Sequence, residues 1–89
     1  MSLDFFTNDR YKILLCMSER QIEVAGAMYA PISQRQIAEI TGIAFKTVNN
    51  IIKDLKNNEY IEHSGTTRGK YSLTNKATAA LVIMQKGGV

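Results

Sequence analysis

Residues 33–55 read SQRQIAEITGIAFKTVNNIIKDL, and this stretch decides the fold because it holds two short amphipathic patterns on either side of Gly42. The first pattern opens with Ser33 and Gln36, the S-x-x-Q spacing of a capping box. In such a box each side chain accepts a hydrogen bond from the other residue's backbone N–H. Gly42 can adopt the left-handed conformation that ends many helices. The stretch therefore predicts two helices joined by a short turn.

The second of these helices is predicted to run from about residue 44 to residue 57. Its apolar residues follow the i, i+3, i+4, i+7 spacing of one buried stripe, made by Val48, Ile51, Ile52 and Leu55. At its start, Ala44 offers no side-chain oxygen for an N-cap. At its end, Asn57 or Asn58 is predicted to act as a left-handed C-cap.

The segment that follows is predicted to be a β-hairpin over residues 60–74. Residues 60–63 and 70–73 have the composition of strands, and residues 64–69 (SGTTRG) are rich in turn formers. Two strands joined by such a tip form a hairpin that projects from the helices before it. We call this hairpin the wing.

A last helix is predicted over residues 75–86, capped by Thr74 or Asn75 and ended by Gly87 and Gly88. Its core stripe consists of Ala77, Ala80, Leu81 and Met84. Val82 and Ile83 lie off that stripe, so the helix is apolar on more than one face. An extra apolar face on a small domain favours a subunit interface.

The residues before position 33 are less regular. The apolar Leu3, Phe5 and Phe6 are expected to pack on the core or on a second subunit. Apolar residues recurring at spacings of three and four permit one long helix over residues 8–29, ended by Pro31. Gly26 and the polar residues near position 20 leave open a division into two pieces.

Length and composition indicate one domain, residues 1–89, with a single core. Cys16 is the only cysteine, so an internal disulfide is excluded, and we expect a buried structural thiol. No apolar run reaches the roughly 18 residues of a membrane span, and no signal-peptide pattern opens the sequence. These features predict a cytoplasmic protein that has no membrane partner.

The basic residues are concentrated in the second half of the chain. Residues 1–43 hold four basic and five acidic side chains, whereas residues 44–89 hold seven basic and three acidic ones. No acidic residue follows Glu62. Such an asymmetry is typical of a surface that binds a polyanion, although it is weak evidence when taken alone.

The second helix of the pair has an outward face suited to base edges in the major groove of DNA. Because successive helical residues differ by about 100°, this face carries side chains other than the buried stripe. Asparagine can bond adenine bidentately, lysine can donate to guanine, and a phenyl ring can contact a thymine methyl group. The candidates are Phe45, Lys46, Asn49 and Asn50. The alternative is that the asparagines only solvate an outer face.

Other residues suit phosphate contacts, which give affinity without sequence preference. One group stands at the start of the first helix of the pair, where unpaired backbone N–H groups favour anions. A second group flanks the outward face, and a third belongs to the wing. In that order the groups are Ser33, Gln34 and Arg35; Thr47 and Lys53; and Arg68 and Lys70.

Residues 33–74 together resemble the winged helix-turn-helix of bacterial and archaeal transcriptional regulators, broadly the MarR-like type. The matching pieces are QIAEITGI at residues 36–43, the apolar stripe of the second helix, NEYIE at 58–62 and YSLTNKA at 71–77. The resemblance implies a mainly α fold with a small β-hairpin, comprising a three-helix core, the wing and a C-terminal helix. It also implies that residues 44–57 form a recognition helix and that the protein is a dimer. The first helix, the last helix or both are expected to form the dimer interface.

Sequence patterns of catalysis and metal binding are missing. His63 is the only histidine, so one chain cannot assemble a typical His/Cys zinc site. No nucleophile elbow, phosphate-binding glycine loop or catalytic carboxylate pair is found. We therefore expect no catalytic residues, no metal, no cofactor and no enzyme activity.

The leading hypothesis is a sequence-specific regulator that binds double-stranded DNA. The alternatives are a winged-helix module that binds protein and a replication or mobile-element factor.

Overall fold

The computed structural model describes residues 8–63 and 70–86, which form four helices and four strands. In chain order these are α1 (Asn8–Glu19), β1 (Ile22–Val24), β2 (Ala27–Pro31), α2 (Gln34–Thr41), α3 (Phe45–Asn57), β3 (Ile61–His63), β4 (Lys70–Leu73) and α4 (Asn75–Lys86). This is the architecture of a winged helix-turn-helix, in which α2 and α3 are the helix pair and β3–β4 is the wing. The predicted fold class is confirmed.

The prediction of one helix over residues 8–29 is wrong, as is its division into two helices. Helix α1 ends at Glu19, and the chain then forms an antiparallel hairpin from β1 and β2. Between the strands Ala25 and Gly26 both have positive φ, 54° and 82°. Positive φ at both central residues is the requirement of the type I′ turn, whose twist matches that of the strands it joins. Ile22, one of the apolar residues whose spacing favoured the long helix, is exposed on β1.

The first hairpin joins the wing in one four-stranded antiparallel sheet, ordered β1-β2-β4-β3. Ala30 and Pro31 of β2 stand opposite Tyr71 and Lys70 of β4, and β4 in turn pairs with β3. The sequence predicted the wing as a hairpin of two strands. In the structure these two strands belong to a larger sheet. One of the wing's two strands lies in the interior of that sheet.

The predicted core stripes of α3 and α4 are confirmed. All four apolar residues of each stripe are buried, and α1 adds Ile13, Leu14, Cys16 and Met17. Burial raises the pKa of the Cys16 thiol, which keeps it in its neutral form. Every buried residue in the described part of the chain is apolar or aromatic.

The hydrogen bonds that the sequence predicts at the two ends of α2 are present in the structure. Ser33 Oγ accepts from the backbone N–H of Gln36 at 3.1 Å, and Gln36 Oε1 accepts from that of Ser33 at 2.9 Å. At the other end of α2, Gly42 has φ 75° and donates its N–H to the Ala38 carbonyl at 2.9 Å. Helix α3 then begins after Ala44, without a side-chain cap.

The end of α3 differs from the prediction, because neither Asn57 nor Asn58 is left-handed. Asn57 remains helical, Asn58 has φ −97°, and Glu59 takes the left-handed conformation with φ 62°. The Tyr60 N–H bonds the Leu55 carbonyl at 2.9 Å, and the Glu59 N–H bonds the carbonyl of residue 56 at 3.1 Å. These two bonds define a Schellman motif with a glutamate in the position that glycine usually occupies.

Large apolar side chains are exposed on α4 and on the first hairpin, as well as at Ile40 and Phe45. On α4, Val82 and Ile83 are 44% and 47% exposed, as the sequence predicted. On the first hairpin, Ile22, Val24 and Met28 are similarly exposed. Within the described ranges, none of the helices is long and apolar enough to cross a bilayer.

The left-handed Glu59 gives a test of the α3 terminus. Glycine avoids the roughly 1–2 kcal/mol penalty of that conformation but loses more backbone entropy on folding. We therefore expect Glu59→Gly to raise the free energy of unfolding by about 0.5–1 kcal/mol, measured by urea denaturation. The matched control is Asn58→Gly, which gains no such relief because φ is negative there. Stabilisation by Asn58→Gly and loss by Glu59→Gly would place the helix end one residue earlier.

Candidate nucleic-acid interface

A cleft of about 560 Å³ opens where the start of α2, the start of α3 and the wing strands meet. Five of the predicted site residues line it, together with two residues of the wing. The five are Ser33, Gln34, Arg35, Phe45 and Asn49, and the two are His63 and Tyr71. The fold thus brings residues that are distant in the sequence onto one surface, which we call the cleft.

Phe45 is the first residue of α3 and separates the cleft from a shallower recess. That recess lies between α2 and α3 and is lined by Arg35, Ala38, Glu39 and Phe45 itself. The Arg35 guanidinium carbon lies 6.0 Å from the centre of the Phe45 ring, at the outer limit of a cation–π contact. A contact with the start of α2 therefore supports the exposed ring.

Three side chains that line the cleft contact one another in turn. The sequence predicted one of them, Gln34, as a site residue but not the other two. Gln34 donates from Nε2 to the Tyr71 hydroxyl at 3.3 Å. The Tyr71 ring in turn lies against His63, with ring centres 5.0 Å apart and planes tilted by 35°. Both ring residues were assigned to strands, but their position beneath α2 has no local sequence signal. The strand register, His63 opposite Tyr71, is the one feature that could have paired them.

Three further predicted residues, Lys46, Asn50 and Lys53, lie on the outer face of α3 and do not line the cleft. All three are exposed. At about 100° per residue they stand opposite the buried stripe of the helix. Thr47 is half-buried on the same helix. The outer face and the cleft therefore form two adjoining parts of one surface along α3.

Lys70, one of the two wing residues predicted to contact phosphate, does not line the cleft. Lys70 starts β4 beside Tyr71, so its side chain points to the opposite face of the sheet. There its ammonium lies 5.2 Å from the centre of the Tyr29 ring. Arg68 falls outside the described residues.

The electrostatics of this surface favour an anion. No carboxylate lines the cleft, whereas Arg35 and the positive end of the α2 helix dipole do. Nearby, Asp54 of α3 is paired with Arg10 of α1 at 2.7 Å. Glu39 is the one acidic residue that lines the adjoining recess. Within residues 8–63 and 70–86 we find no group of three His, Cys, Asp or Glu side chains placed to hold a metal ion.

Comparison with known proteins identifies the helix pair. Residues 29–62 match the family model described as winged helix-turn-helix DNA-binding, a range that includes α2, α3 and most of β2 and β3. These residues are therefore similar to the winged helix-turn-helix of DNA-binding proteins. No curated protein shows significant similarity to the sequence.

Several solved structures share the fold. The reduced, Fe(II) CO-sensing protein from R. rubrum is similar with a TM-score of 0.71 at 20% identity, covering 82% of this chain and 35% of that one. A CRP/FNR-family transcriptional regulator from Thermus thermophilus gives 0.62 at 22% identity, covering 86% and 41%. Reduced CprK without ligand gives 0.57 at 21% identity, covering 82% and 38%.

These structural similarities establish the fold. Sequence identities of 20–22% do not establish a shared function. The chain spans between 35% and 41% of the length of the three structures. The structural neighbour from Thermus thermophilus is described as a member of the CRP/FNR family. The MarR-like type stays a prediction.

The bond between Gln34 and Tyr71 gives a test of the contacts within the cleft. Tyr71→Phe keeps the buried ring and removes the acceptor, so we expect a loss of about 0.5–1.5 kcal/mol in the free energy of unfolding. Gln34→Ala removes the donor. If the two side chains interact, the losses in the double variant are not additive, and a double-mutant cycle gives a coupling of at least about 0.5 kcal/mol. Additive losses would show that the bond contributes nothing to stability.

Proposed function

We propose that this chain is a sequence-specific, dimeric transcriptional regulator that binds double-stranded DNA in the cytoplasm and has no enzymatic activity. The observation that carries the proposal is the surface along α3. Its outer face presents cations and amides, and the adjoining cleft adds Arg35 and the positive end of α2 without any carboxylate. A winged helix-turn-helix with this surface has the charge and the shape that a DNA groove requires.

In this proposal α3 is the recognition helix and lies in the major groove. Its buried stripe holds it to the protein, so the opposite face is free to meet base edges. Asn49 and Asn50 are suited to adenine through its N6 and N7 atoms, and Lys46 to guanine through O6 or N7. Phe45 stands at the tip of the helix, beside Asn49 in the cleft.

The remaining site residues are assigned to the phosphate backbone. Ser33, Gln34 and Arg35 surround the start of α2, whose backbone N–H groups point towards an anion. Thr47 lies half-buried beside the outer face of α3, and Lys53 lies on that face. In the wing, Arg68 and Lys70 are proposed to follow the backbone next to the minor groove.

The dimer is proposed to form through α4. The interior face of α1 is used in the protein's own core, where four of its twelve residues are buried. On α4, by contrast, Val82 and Ile83 remain exposed to water in the single chain. Pairing two copies there would present two recognition helices to a pseudo-palindromic site with half-sites about one helical turn apart.

The direct test is selection of bound duplexes from a random pool, followed by affinity measurements at several salt concentrations. A regulator of this kind enriches one sequence, and its affinity falls steeply as salt is raised. Binding that is negligible and insensitive to salt would contradict the proposal and favour a protein-binding module.

Two substitutions on α3 separate base reading from phosphate binding. Asn49→Ala is expected to weaken the selected duplex by about 1–3 kcal/mol while leaving non-specific binding unchanged. Lys53→Ala is expected to weaken all duplexes and to reduce the salt slope by about one unit. The control is Lys12→Ala, which removes an exposed lysine of α1 away from the proposed interface. An equal loss on every duplex would remove Asn49 from base reading, and an unchanged slope would remove Lys53 from phosphate contact.

The proposed dimer is tested by placing a charge on α4. Val82→Glu is expected to shift the protein from dimer to monomer in sedimentation velocity experiments, because the interface would bury an unpaired carboxylate. Asn57→Glu adds the same charge to an exposed position at the end of α3 and is expected to leave the dimer intact. A wild-type protein that stays monomeric at all concentrations would refute the dimer but not DNA binding.

A further inference from the structure

Phe45 is an unusual residue for an exposed helix tip. It is 50% exposed, and it is the one phenyl ring among the exposed large apolar side chains of the described residues. The other exposed members are aliphatic and lie on the first hairpin, on α2 or on α4. A phenyl ring has no hydrogen-bonding group, so it can bind neither a phosphate nor a polar base edge. What it can recognise is an apolar group on its binding partner.

Contacts with α2 hold the ring in place. Arg35 lies over it at 6.0 Å, and the recess on that side is completed by Ala38 and Glu39. Arg35 forms no salt bridge with a carboxylate in the described parts of the chain, including Glu39 one turn further along α2. Its guanidinium thus remains available to support the ring. The ring is therefore exposed at the tip of α3 with the Arg35 guanidinium beside it.

We infer that the Phe45 ring recognises the C5-methyl group of a pyrimidine in the major groove. This inference rests on the proposed function and deepens it. The C5-methyl group is the apolar feature of that groove, and contact with an apolar side chain is its usual mode of recognition. Thymine carries this methyl group at the same ring position as 5-methylcytosine, whereas uracil and cytosine lack it. Such a contact distinguishes thymine and 5-methylcytosine from uracil and cytosine at one position of each half-site.

The neighbouring Asn49 makes this reading specific. It stands one helical turn after Phe45, and both side chains line the cleft. The ring then contacts a methyl group while the Asn49 amide forms hydrogen bonds with an adjacent base. Two neighbouring bases are thus recognised, one by an apolar contact and one by hydrogen bonds. Arg35 acts as a positioning residue, because it reaches the methyl group only through the ring.

The experiment begins with the duplex recovered by selection from a random pool. Each thymine of one half-site is replaced singly by uracil, which removes one methyl group and changes no hydrogen-bonding edge. We expect one position at which the affinity falls about three- to fivefold, the value of one buried methyl group. At that same position cytosine is expected to bind more weakly than 5-methylcytosine by a similar factor.

Variants then connect this preference to the ring. Phe45→Ala is expected to abolish the thymine-to-uracil ratio at that position, whereas Phe45→Leu keeps part of it. Arg35→Lys preserves the charge and removes the flat guanidinium, so it is expected to lower the ratio without changing the salt slope. Thermal melting confirms that each variant is folded, which the exposure of both side chains favours.

The outcomes separate the inference from the function on which it rests. Tight, sequence-specific binding with no uracil effect at any position would overturn methyl reading and leave DNA binding intact. A uracil effect that survives in Phe45→Ala would assign the methyl contact to another residue and overturn the inference equally. A ratio unchanged in Arg35→Lys would remove Arg35 from the positioning role. Failure to bind any duplex would overturn the proposed function itself.

Discussion

The burial of one stripe of α3 is the constraint on which the rest of the structure depends. Val48, Ile51, Ile52 and Leu55 are all buried, and full burial of such a side chain contributes about 1.5–3 kcal/mol. Single-residue helix propensities differ by less than about 1 kcal/mol, so packing rather than propensity sets the rotation of the helix. Once that rotation is fixed, the outward direction of every other side chain on α3 follows. A polar residue in the stripe would disturb the core and the candidate interface together.

The two ends of α3 differ in how their backbone groups are capped. At its C-terminus a Schellman motif and the burial of Tyr60 fix the exit of the chain, even though Glu59 must adopt a left-handed conformation. At its N-terminus, Ala44 supplies no side-chain cap. The first N–H groups of α3 therefore lack a side-chain acceptor at the end that carries Phe45. Helix ends of this kind stabilise anions, which agrees with a phosphate-rich partner.

Sequence reasoning succeeded where a local pattern has one physical meaning. The capping box, Gly42 and the stripes of α3 and α4 are such patterns, and each was confirmed. The first hairpin was missed because residues 22, 25 and 29 also fit helical spacing, and the Ala25–Gly26 turn lacks the asparagine that usually marks type I′. Tyr71 could not be placed in the cleft, because its bond to Gln34 joins residues 37 positions apart in the chain.

The unexpected first hairpin changes how the wing must be understood. Strand β4 pairs with β2 on one side and β3 on the other, so two segments of the chain hold it. Tyr71 on that strand also reaches α2 through Gln34. The wing is therefore joined both to the first hairpin and to α2. A surface that is already arranged loses less conformational entropy on association. In the proposed complex with DNA, a sheet that holds the wing in one position would limit the spacing between the two grooves that the protein contacts.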